Sequence, residues 1–196
     1  HLEGTCPLRF EIHPRAFFQP NSAQAEVLYS TVLKKSGLKA SAKVGKLLDL
    51  YCGTGTIGLC LAPFADRVFG IELQPDAVEN ARKNARDNGI ENIDFFVGDV
   101  GKVLESEEFR SAVGDGVDVV IVDPPRSGLF PGAVEQIKAI AAPTLVYVSC
   151  NPAALARDLA DLKESGYELR SIQPVDMFPQ TYHIENVALL EKTPLQ

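Results

Sequence analysis

Two patterns of hydrophobic and polar positions alternate along this chain. Five continuous apolar runs have the length of β-strands, and they cover residues 46–51, 67–73, 93–98, 117–123 and 144–149. Amphipathic segments typical of helices lie between and after them, at 56–64, 75–89, 100–112, 131–141 and 152–166. Apolar strands separated by helical crossovers predict an α/β fold, with a mostly parallel, twisted sheet that is covered by helices on both faces.

The two ends of the chain extend this pattern. A further helix is predicted over 21–37, a segment that opens on an N-capping asparagine and closes on a glycine. The segments 167–178 and 185–192 predict two closing strands. Residues 1–20 predict an extended lead-in without a core of its own. We therefore expect a single domain over 1–196.

Composition narrows the class of protein. Hydrophobic residues make up 45% of the 196 positions, which is enough for one substantial core. Cys6, Cys52, Cys60 and Cys150 show neither metal-ligand spacing nor a secreted disulfide framework, which favours the cytoplasm or another reducing compartment. No apolar run approaches a membrane span, and no signal peptide is recognisable. The net charge of −7 argues against a general nucleic-acid coat, but it allows an enzyme with a local basic groove.

A glycine-rich loop follows the first predicted strand, in the stretch DLYCGTGTIG. Gly53, Gly55 and Gly58 satisfy the spacing G-x-G-x-x-G, which by itself suggests a dinucleotide site. A pyrophosphate needs amide donors without competing negative charge, however, and Asp49 lies just upstream. An uncharged or cationic ligand fits this loop better.

Carboxylates also end the next two predicted strands. Glu72 ends the second, where a carboxylate can accept both hydroxyls of an adenosine ribose. Asp99 ends the third, where an acceptor can meet an adenine amino group. A loop built for close backbone approach, followed by carboxylates along one sheet edge, resembles the S-adenosylmethionine site of Rossmann-like methyltransferases.

The fourth strand ends in DPPRSGLF. Two successive prolines give a rigid, extended loop that suits a wall against a flat substrate. In amino-methyltransferases the related loop carries an aromatic residue that stacks on a flipped base. Arg126 stands at that position, which counts against methylation of an exocyclic amine.

The fifth strand leads into Ser-Cys-Asn-Pro. Asn151 is a good N-cap and Pro152 suits the first helical position, so a helix should begin there. Cys150 would then lie beside the uncompensated N–H groups of that helix, where we expect the thiol to lose its proton more easily. A buried, inert cysteine is the alternative, since cysteine is among the most buried residue types.

Six sequence blocks together resemble one enzyme family. FFQPN, DLYCGTGTIG, GIEL, DPPRSGL, YVSCNP and DMFPQTYHIE stand in the order found in the RNA 5-methyluridine methyltransferases. The similarity covers nearly the whole chain, and it implies the Rossmann-like class I methyltransferase fold. Members typically carry a TRAM-type RNA-binding domain and a central domain before this region. We expect this chain to be the catalytic domain alone and tight RNA binding to need those missing domains.

The resemblance also implies roles for individual residues. It implies contacts with S-adenosylmethionine, or a place in its pocket, for Gln19, Tyr51, Gly53, Thr56, Glu72, Asp99 and Asp123. Thr56 matches a position where some members have an asparagine. Cys150 matches the nucleophile and Glu185, in HIEN, the general base. Arg126 and Arg15 are candidates for holding an RNA phosphate, or for pairing with nearby carboxylates.

A cysteine and a carboxylate are the residue types that methylation of uracil requires. Its carbon 5 is too weak a nucleophile to attack a sulfonium methyl until a thiolate adds to carbon 6. A carboxylate can then remove the proton of carbon 5. The predicted function is therefore S-adenosylmethionine-dependent methylation of carbon 5 of a uridine in tRNA or rRNA, with no metal.

Three other functions remain open at this point. The chain could be an amino-methyltransferase acting on a base or a protein, since it shares the Asp-Pro-Pro sequence. It could be an oxidoreductase with a dinucleotide in the glycine loop. It could also be a non-catalytic module that binds RNA or senses the cofactor. Titration with S-adenosylhomocysteine and with NAD would separate the methyltransferases from the oxidoreductase.

Overall fold

Strands and helices alternate through the chain, and the computed structural model describes residues 8–12 and 19–193. The elements are α1 (Ser22–Ser36), β1 (Val44–Leu50), α2 (Thr56–Leu61), a 3-10 turn (Ala62–Phe64), β2 (Ala65–Glu72), α3 (Pro75–Asp87), β3 (Ile93–Val97), α4 (Val100–Glu105), α5 (Glu107–Val113), β4 (Val119–Val122), α6 (Pro131–Ile140), β5 (Thr144–Ser149), α7 (Pro152–Lys163), β6 (Tyr167–Val175) and β7 (Glu185–Lys192).

One seven-stranded sheet organises the fold, with the strand order β3-β2-β1-β4-β5-β7-β6. The first five strands of the chain are parallel to one another, while β7 runs antiparallel to both β5 and β6. The parallel sheet and the two closing strands are thus confirmed. The strand order reverses beside β1, and ligands of open α/β sheets bind outside the carboxyl ends of the strands at such a point.

Two hydrophobic clusters cover the two faces of the sheet. One includes Leu28 of α1, Leu47 of β1 and Val78 of α3. The other includes Leu48 of β1 and Ile137 of α6. Successive strand residues point to opposite faces, so a strand that is buried on both sides must be apolar at every position. This is why the central strands read as continuous apolar runs.

The structure corrects two of the predicted helices. The helix predicted over 100–112 is two helices broken at Ser106, whose extended backbone begins α5 and whose hydroxyl accepts the Phe109 N–H at 3.2 Å. The helix predicted over 56–64 ends at Leu61 and continues as a 3-10 turn that contains Pro63. Both changes follow from local preferences, since serine competes as an N-cap and proline lacks an N–H.

Only part of the predicted lead-in lies among the described residues. Residues 8–12 are not in a helix or strand, and they lie against α3, where the Arg9 and Glu11 backbones bond to asparagine side chains. Residues 1–7 and 13–18 lie outside the described part. In the described part, no helix is both long and apolar enough to cross a membrane.

Candidate active site

The glycine-rich loop turns sharply at the carboxyl end of β1. Gly53 and Gly55 have left-handed backbones, with φ of 55° and 78°, and Gly55 caps the start of α2. A Cβ atom on Gly55 would lie 2.9 Å from the ring of Phe95. Residues with a side chain are therefore excluded from this position by both conformation and space.

Asp49 lies beneath this loop and is fully buried. Its Oδ2 accepts the N–H of Gly58 at 2.7 Å, while its Oδ1 has no hydrogen-bond partner. Burial raises the pKa of Asp49 to about 7, the bond from Gly58 lowers it and the nearby Glu72 raises it. One amide of the G-x-G-x-x-G sequence is thus already used by a carboxylate, which disfavours a pyrophosphate at this loop.

Glu72 stands at the end of β2 and fastens the loop from the other side. Its Oε2 accepts the N–H of Gly53 at 3.1 Å, and its Oε1 accepts the N–H of Gln74 at 2.9 Å. Each carboxylate oxygen has a second lone pair. Glu72 can therefore hold the loop and still accept hydroxyl groups from a ligand.

Asp99 follows β3 and serves as the N-cap of α4. Its Oδ1 accepts the N–H of Lys102 at 3.2 Å. Asp99 and Lys102 also line a groove of about 1010 Å³ along the outer edge of β3, together with Phe96. The carboxylate thus lies at the predicted sheet edge, and its capping bond leaves the other oxygen available.

Three other predicted cofactor residues differ in their surroundings. The hydroxyl of Thr56 hydrogen-bonds with Tyr29 of α1, whose pKa burial raises to about 12. Tyr51 has a left-handed backbone with φ of 64°, and burial raises the pKa of its hydroxyl. Such a backbone is strained for a residue with a side chain.

Gln19 is buried and lies just before α1. The start of this helix is held in place by Asn21, whose side-chain amide donates to the Met177 carbonyl at 3.1 Å.

Several predicted site residues carry unpaired polar atoms. Among the described residues, five buried side-chain atoms have no hydrogen-bond partner, and four of them are Gln19 Oε1, Asp49 Oδ1, the Tyr51 hydroxyl and Glu185 Oε2. Buried polar groups are nearly always paired, so these atoms are candidates for binding a polar ligand. The acceptors include two carboxylates, which suit a ligand with donors and positive charge.

Cys150 and Glu185 are brought together by the antiparallel pairing of β5 with β7. Ser149, the last residue of β5, is the register partner of Asn186, so the residue that follows the strand, Cys150, lies at the level of Glu185. Glu185 is buried, and burial raises the pKa of its carboxyl while Arg126 lowers it. The register of this one strand pair thus makes neighbours of two residues that are 35 positions apart in the sequence.

The prediction that the helix start lowers the pKa of Cys150 is wrong. Burial raises the pKa of this half-buried thiol, Glu185 raises it further, and Arg126 lowers it. The predicted cap is confirmed, and it removes the donors on which that prediction rested. Asn151 Oδ1 accepts the N–H groups of Ala153 and Ala154 at 3.1 and 3.4 Å, and Pro152 has no N–H. The first turn of α7 therefore offers the thiol no free donor.

The loop after β4 places Asp123 and Arg126 beside this pair. The N–H of Asp123 donates to Leu50 O at 3.2 Å, which continues the sheet by one residue. Burial raises the pKa of Asp123 well above its ordinary value, and Glu185 and Asp49 raise it further. The carbonyl of Arg126 accepts the Asn151 side-chain amide at 2.9 Å, so the loop is fastened directly to the residue after Cys150.

A buried carboxylate that the sequence analysis missed supports the same loop. Asp158 of α7 accepts the hydroxyl of Tyr147 at 2.5 Å and the N–H of Leu129 at 2.7 Å. Arg157 pairs with Asp158 and donates to Ser127 O at 2.7 Å. The signal in the sequence was an acidic residue at a position that the helical spacing assigns to the buried face of α7, between Leu155 and Leu162.

The remaining predicted site features can be placed briefly. Arg15 lies outside the described residues. Cys52 and Cys60 are buried, and burial raises the pKa of both thiols, as expected for packing residues. Within residues 8–12 and 19–193, no group of three or more His, Cys, Asp or Glu side chains could hold a metal ion.

Known proteins resemble this chain in sequence and in fold. An uncharacterized RNA methyltransferase of Protochlamydia amoebophila is 50% identical over 188 residues, which are 96% of this chain and 41% of the relative. Another, from Caldanaerobacter subterraneus, is 45% identical over 192 residues, which are 98% of this chain and 41% of the relative. This chain thus spans about two fifths of the length of these curated relatives.

A solved structure supports the fold assignment. The tRNA (uracil-54, C5)-methyltransferase of Pyrococcus abyssi, in complex with S-adenosyl-L-homocysteine, superposes with a TM-score of 0.76 and 39% identity. The match covers 93% of this chain and 42% of that protein, and it confirms the Rossmann-like class I methyltransferase fold. A model of the tRNA (uracil-5-)-methyltransferase family matches residues 6–193. With nearly its whole length matched by that model, this chain belongs to the tRNA (uracil-5-)-methyltransferase family.

Proposed function

We propose that this chain uses S-adenosylmethionine to methylate carbon 5 of a uridine in tRNA or rRNA, through a covalent adduct on Cys150 that Glu185 resolves. The observation that carries the proposal is the β5–β7 register, which sets a half-buried thiol beside a buried carboxyl at the carboxyl edge of the sheet. Family membership and the Pyrococcus neighbour, which holds S-adenosylhomocysteine, support it.

The residues at the sheet edge fit S-adenosylmethionine. Glu72 would accept the ribose hydroxyls, Asp99 the adenine amino group, and Gln19, Tyr51, Gly53, Thr56 and Asp123 would complete the pocket. The unpaired oxygen of Asp49 and the carboxyl of Asp123 give this edge acceptors for a polar ligand, and a bound sulfonium cation would favour the ionised form of both carboxyls. When bound, the sulfonium supplies an electrophilic methyl group.

Cys150 prepares the uracil ring. With its proton released to solvent, Sγ adds to carbon 6 and forms a carbon–sulfur bond, and the electron pair of the 5,6 double bond moves into an enolate. Carbon 5 of the enolate is nucleophilic enough to take the methyl group, and the methyl–sulfur bond breaks to leave neutral S-adenosylhomocysteine. Arg126 lowers the pKa of Cys150 and thereby favours the thiolate.

Glu185 completes the reaction. The methylated adduct carries a proton on carbon 5, and the Glu185 carboxylate accepts it. The electron pair of that C–H bond re-forms the 5,6 double bond, and the carbon–sulfur bond breaks to release the thiolate. Burial raises the pKa of Glu185 and makes it a better base than an exposed carboxylate.

The other functions fit the site less well. An amino-methyltransferase would need a stacking aromatic residue after the Asp-Pro-Pro sequence, and this chain has Arg126 at that position. A dinucleotide meets the Asp49 carboxylate and finds the amide of Gly58 already bonded. A non-catalytic module has no use for a thiol set beside a buried carboxyl.

The test is to trap the adduct. RNA that carries 5-fluorouridine should form a complex with the unmodified protein that survives denaturing electrophoresis, because fluorine cannot leave carbon 5 as a cation. Glu185→Gln, which keeps the side-chain shape but cannot accept the proton, should accumulate a methylated adduct with ordinary RNA. Cys150→Ala should form neither.

Cys60→Ala is the matched control, since Cys60 is a buried core residue within α2. It should form adducts like the unmodified protein. Turnover by Cys150→Ala would overturn the covalent mechanism. A folded Glu185→Gln variant that binds S-adenosylhomocysteine but leaves no adduct would move the base to another residue, and His183, two positions before Glu185 in the sequence, is the next candidate.

A further inference from the structure

Residues 8–12 form a strap across α3. Their burial alternates, with Leu8 and Phe10 packed against the core and the side chains of Arg9 and Glu11 exposed. A period of two is that of an extended chain. The strap lies outside every strand of the sheet, so its backbone groups need partners from elsewhere.

Two asparagine side chains supply those partners, Asn84 of α3 and Asn88, which caps the end of that helix. Asn84 Oδ1 accepts the N–H of Glu11 at 2.8 Å, and its Nδ2 donates to the carbonyl of the same residue at 3.1 Å. Asn88 makes the same pair of bonds with Arg9, at 2.9 and 2.7 Å. Residues four apart on a helix share a face, so the two side-chain amides can hydrogen-bond to alternate residues of the strap.

Asn84 differs from Asn88 in two respects. It is fully buried, and its Nδ2 also lies 3.4 Å from the carbonyl of Thr54, the residue between Gly53 and Gly55 of the glycine-rich loop. Glu72 holds the same loop from the opposite side, through the N–H of Gly53. A single buried amide therefore connects the strap to the loop that the proposed cofactor contacts.

We propose that Asn84 is a positioning residue that couples docking of the strap to the shape of the glycine-rich loop, so that the strap and the cofactor stabilise each other's binding. The coupling rests on the proposed cofactor site. A bound S-adenosylhomocysteine that fixes the loop would fix the Thr54 carbonyl, and through Asn84 it would fix the backbone of Glu11. By linkage the effect must run in both directions.

The experiment compares Asn84→Asp with Asn88→Asp. Each substitution keeps the side-chain size and an acceptor but removes the donors. Asn84→Asp therefore loses the bond to the Glu11 carbonyl, and Asn88→Asp loses the bond to the Arg9 carbonyl. Asn84→Asp should also weaken S-adenosylhomocysteine binding by about tenfold in calorimetry, a typical size for coupling between two sites. Asn88→Asp should leave that affinity unchanged.

Hydrogen exchange gives the reciprocal measurement. In the unmodified protein, S-adenosylhomocysteine should slow exchange of the Arg9 and Glu11 amides, and in Asn84→Asp it should not. Glu11→Pro is a second variant that removes the strap donor without altering the buried helix face. It should reproduce the loss of affinity, while Arg9→Pro should not.

The outcomes separate this inference from the proposed function. Failure of the unmodified protein to bind S-adenosylhomocysteine would overturn the cofactor site itself. Normal binding by a folded Asn84→Asp variant, or an equal loss in Asn88→Asp, would overturn the coupling while leaving the cofactor site intact. Strap amides that exchange at the same rate with and without ligand in the unmodified protein would also overturn it.

Discussion

The backbone N–H of Gly58 donates to Asp49 Oδ2 at 2.7 Å, and this bond ties the start of α2 to the end of β1. It satisfies only one oxygen of a fully buried carboxyl, whose other oxygen has no partner. Because burial raises the pKa of Asp49 to about 7, this carboxyl changes charge near neutral pH, beside the loop assigned to the cofactor.

The first prediction concerns the pH dependence of cofactor binding. S-adenosylmethionine and S-adenosylhomocysteine differ at sulfur by one methyl group and one positive charge. As pH rises through the pKa of Asp49, the carboxyl ionises and favours the charged ligand. The ratio of the two affinities should rise by about tenfold between roughly pH 5 and pH 9, equivalent to about one pKa unit of coupling. Calorimetry at the two pH values measures it.

Asp49→Asn is the control for this effect, because an amide does not ionise in that range. Its affinity ratio should be flat with pH. An affinity ratio that does not change with pH in the unmodified protein would contradict the placement of Asp49 beside the bound cofactor. The free protein should show the opposite trend in stability, since an acid whose folded pKa is raised binds more protons folded than unfolded. This contribution lowers the free energy of unfolding as pH rises from about 4 to about 7.

The second prediction concerns the space above Asp49. A Cβ atom on Gly58 would lie 2.8 Å from Asp49 Oδ2 and 3.1 Å from the side chain of Ile93. Gly58→Ala should therefore lower the free energy of unfolding by about 1–3 kcal/mol, as overpacking in a filled core does. Chemical denaturation measures the change.

Gly132→Ala in α6 is the matched control. A Cβ atom there meets nothing within 4 Å, so alanine should be neutral or slightly stabilising in that helix. Equal stability of the Gly58 and Gly132 variants would show that α2 shifts freely over β1, and that the third glycine of the loop serves another purpose.

The third prediction concerns Glu72, which bonds to the N–H groups of Gly53 and Gln74. Glu72→Gln can keep only one of these acceptors and carries no charge. S-adenosylhomocysteine binding should weaken at a cost on the order of 1–3 kcal/mol, for lost charge-assisted hydrogen bonds. Glu79→Gln, at an exposed position of α3, is the control in the same titration. Unchanged affinity in a folded Glu72 variant would remove Glu72 from the site.

The sequence predicted the fold well because burial on both faces leaves a clear apolar signature in β1 and β4. It could not predict the break at Ser106, where one hydroxyl bond decides between one helix and two. The pairing of Cys150 with Glu185 came from family resemblance, since strand register is not readable from composition or spacing.

The polar supports of the site were harder to foresee for a physical reason. Asn84 and Asp158 stand on the buried faces of amphipathic helices, where a sequence shows a polar residue but not its partner. Their partners are backbone groups of the strap and of the loop after β4, far away in sequence. The direction of the Cys150 pKa was wrong because burial and Glu185 raise it, while Asn151 and Pro152 leave the thiol no free N–H at the helix start.

The last prediction concerns the charges that face Cys150. Arg126 lowers the pKa of this thiol and Glu185 raises it, so the two residues should change thiolate reactivity in opposite directions. Arg126→Gln should slow alkylation of Cys150 by iodoacetamide near neutral pH by about three- to tenfold, and Glu185→Gln should speed it by a similar factor, because each pKa unit changes the thiolate fraction about tenfold.

Peptide mass mapping after alkylation distinguishes Cys150 from Cys6, and Cys52 and Cys60 are buried and should react slowly. Arg126→Lys, which retains the positive charge, is the control and should stay close to the unmodified rate. High salt should reduce the effect of Arg126, whose side chain is exposed, more than that of the buried Glu185. If both substitutions changed the rate in the same direction, access to the thiol rather than charge would control its reactivity.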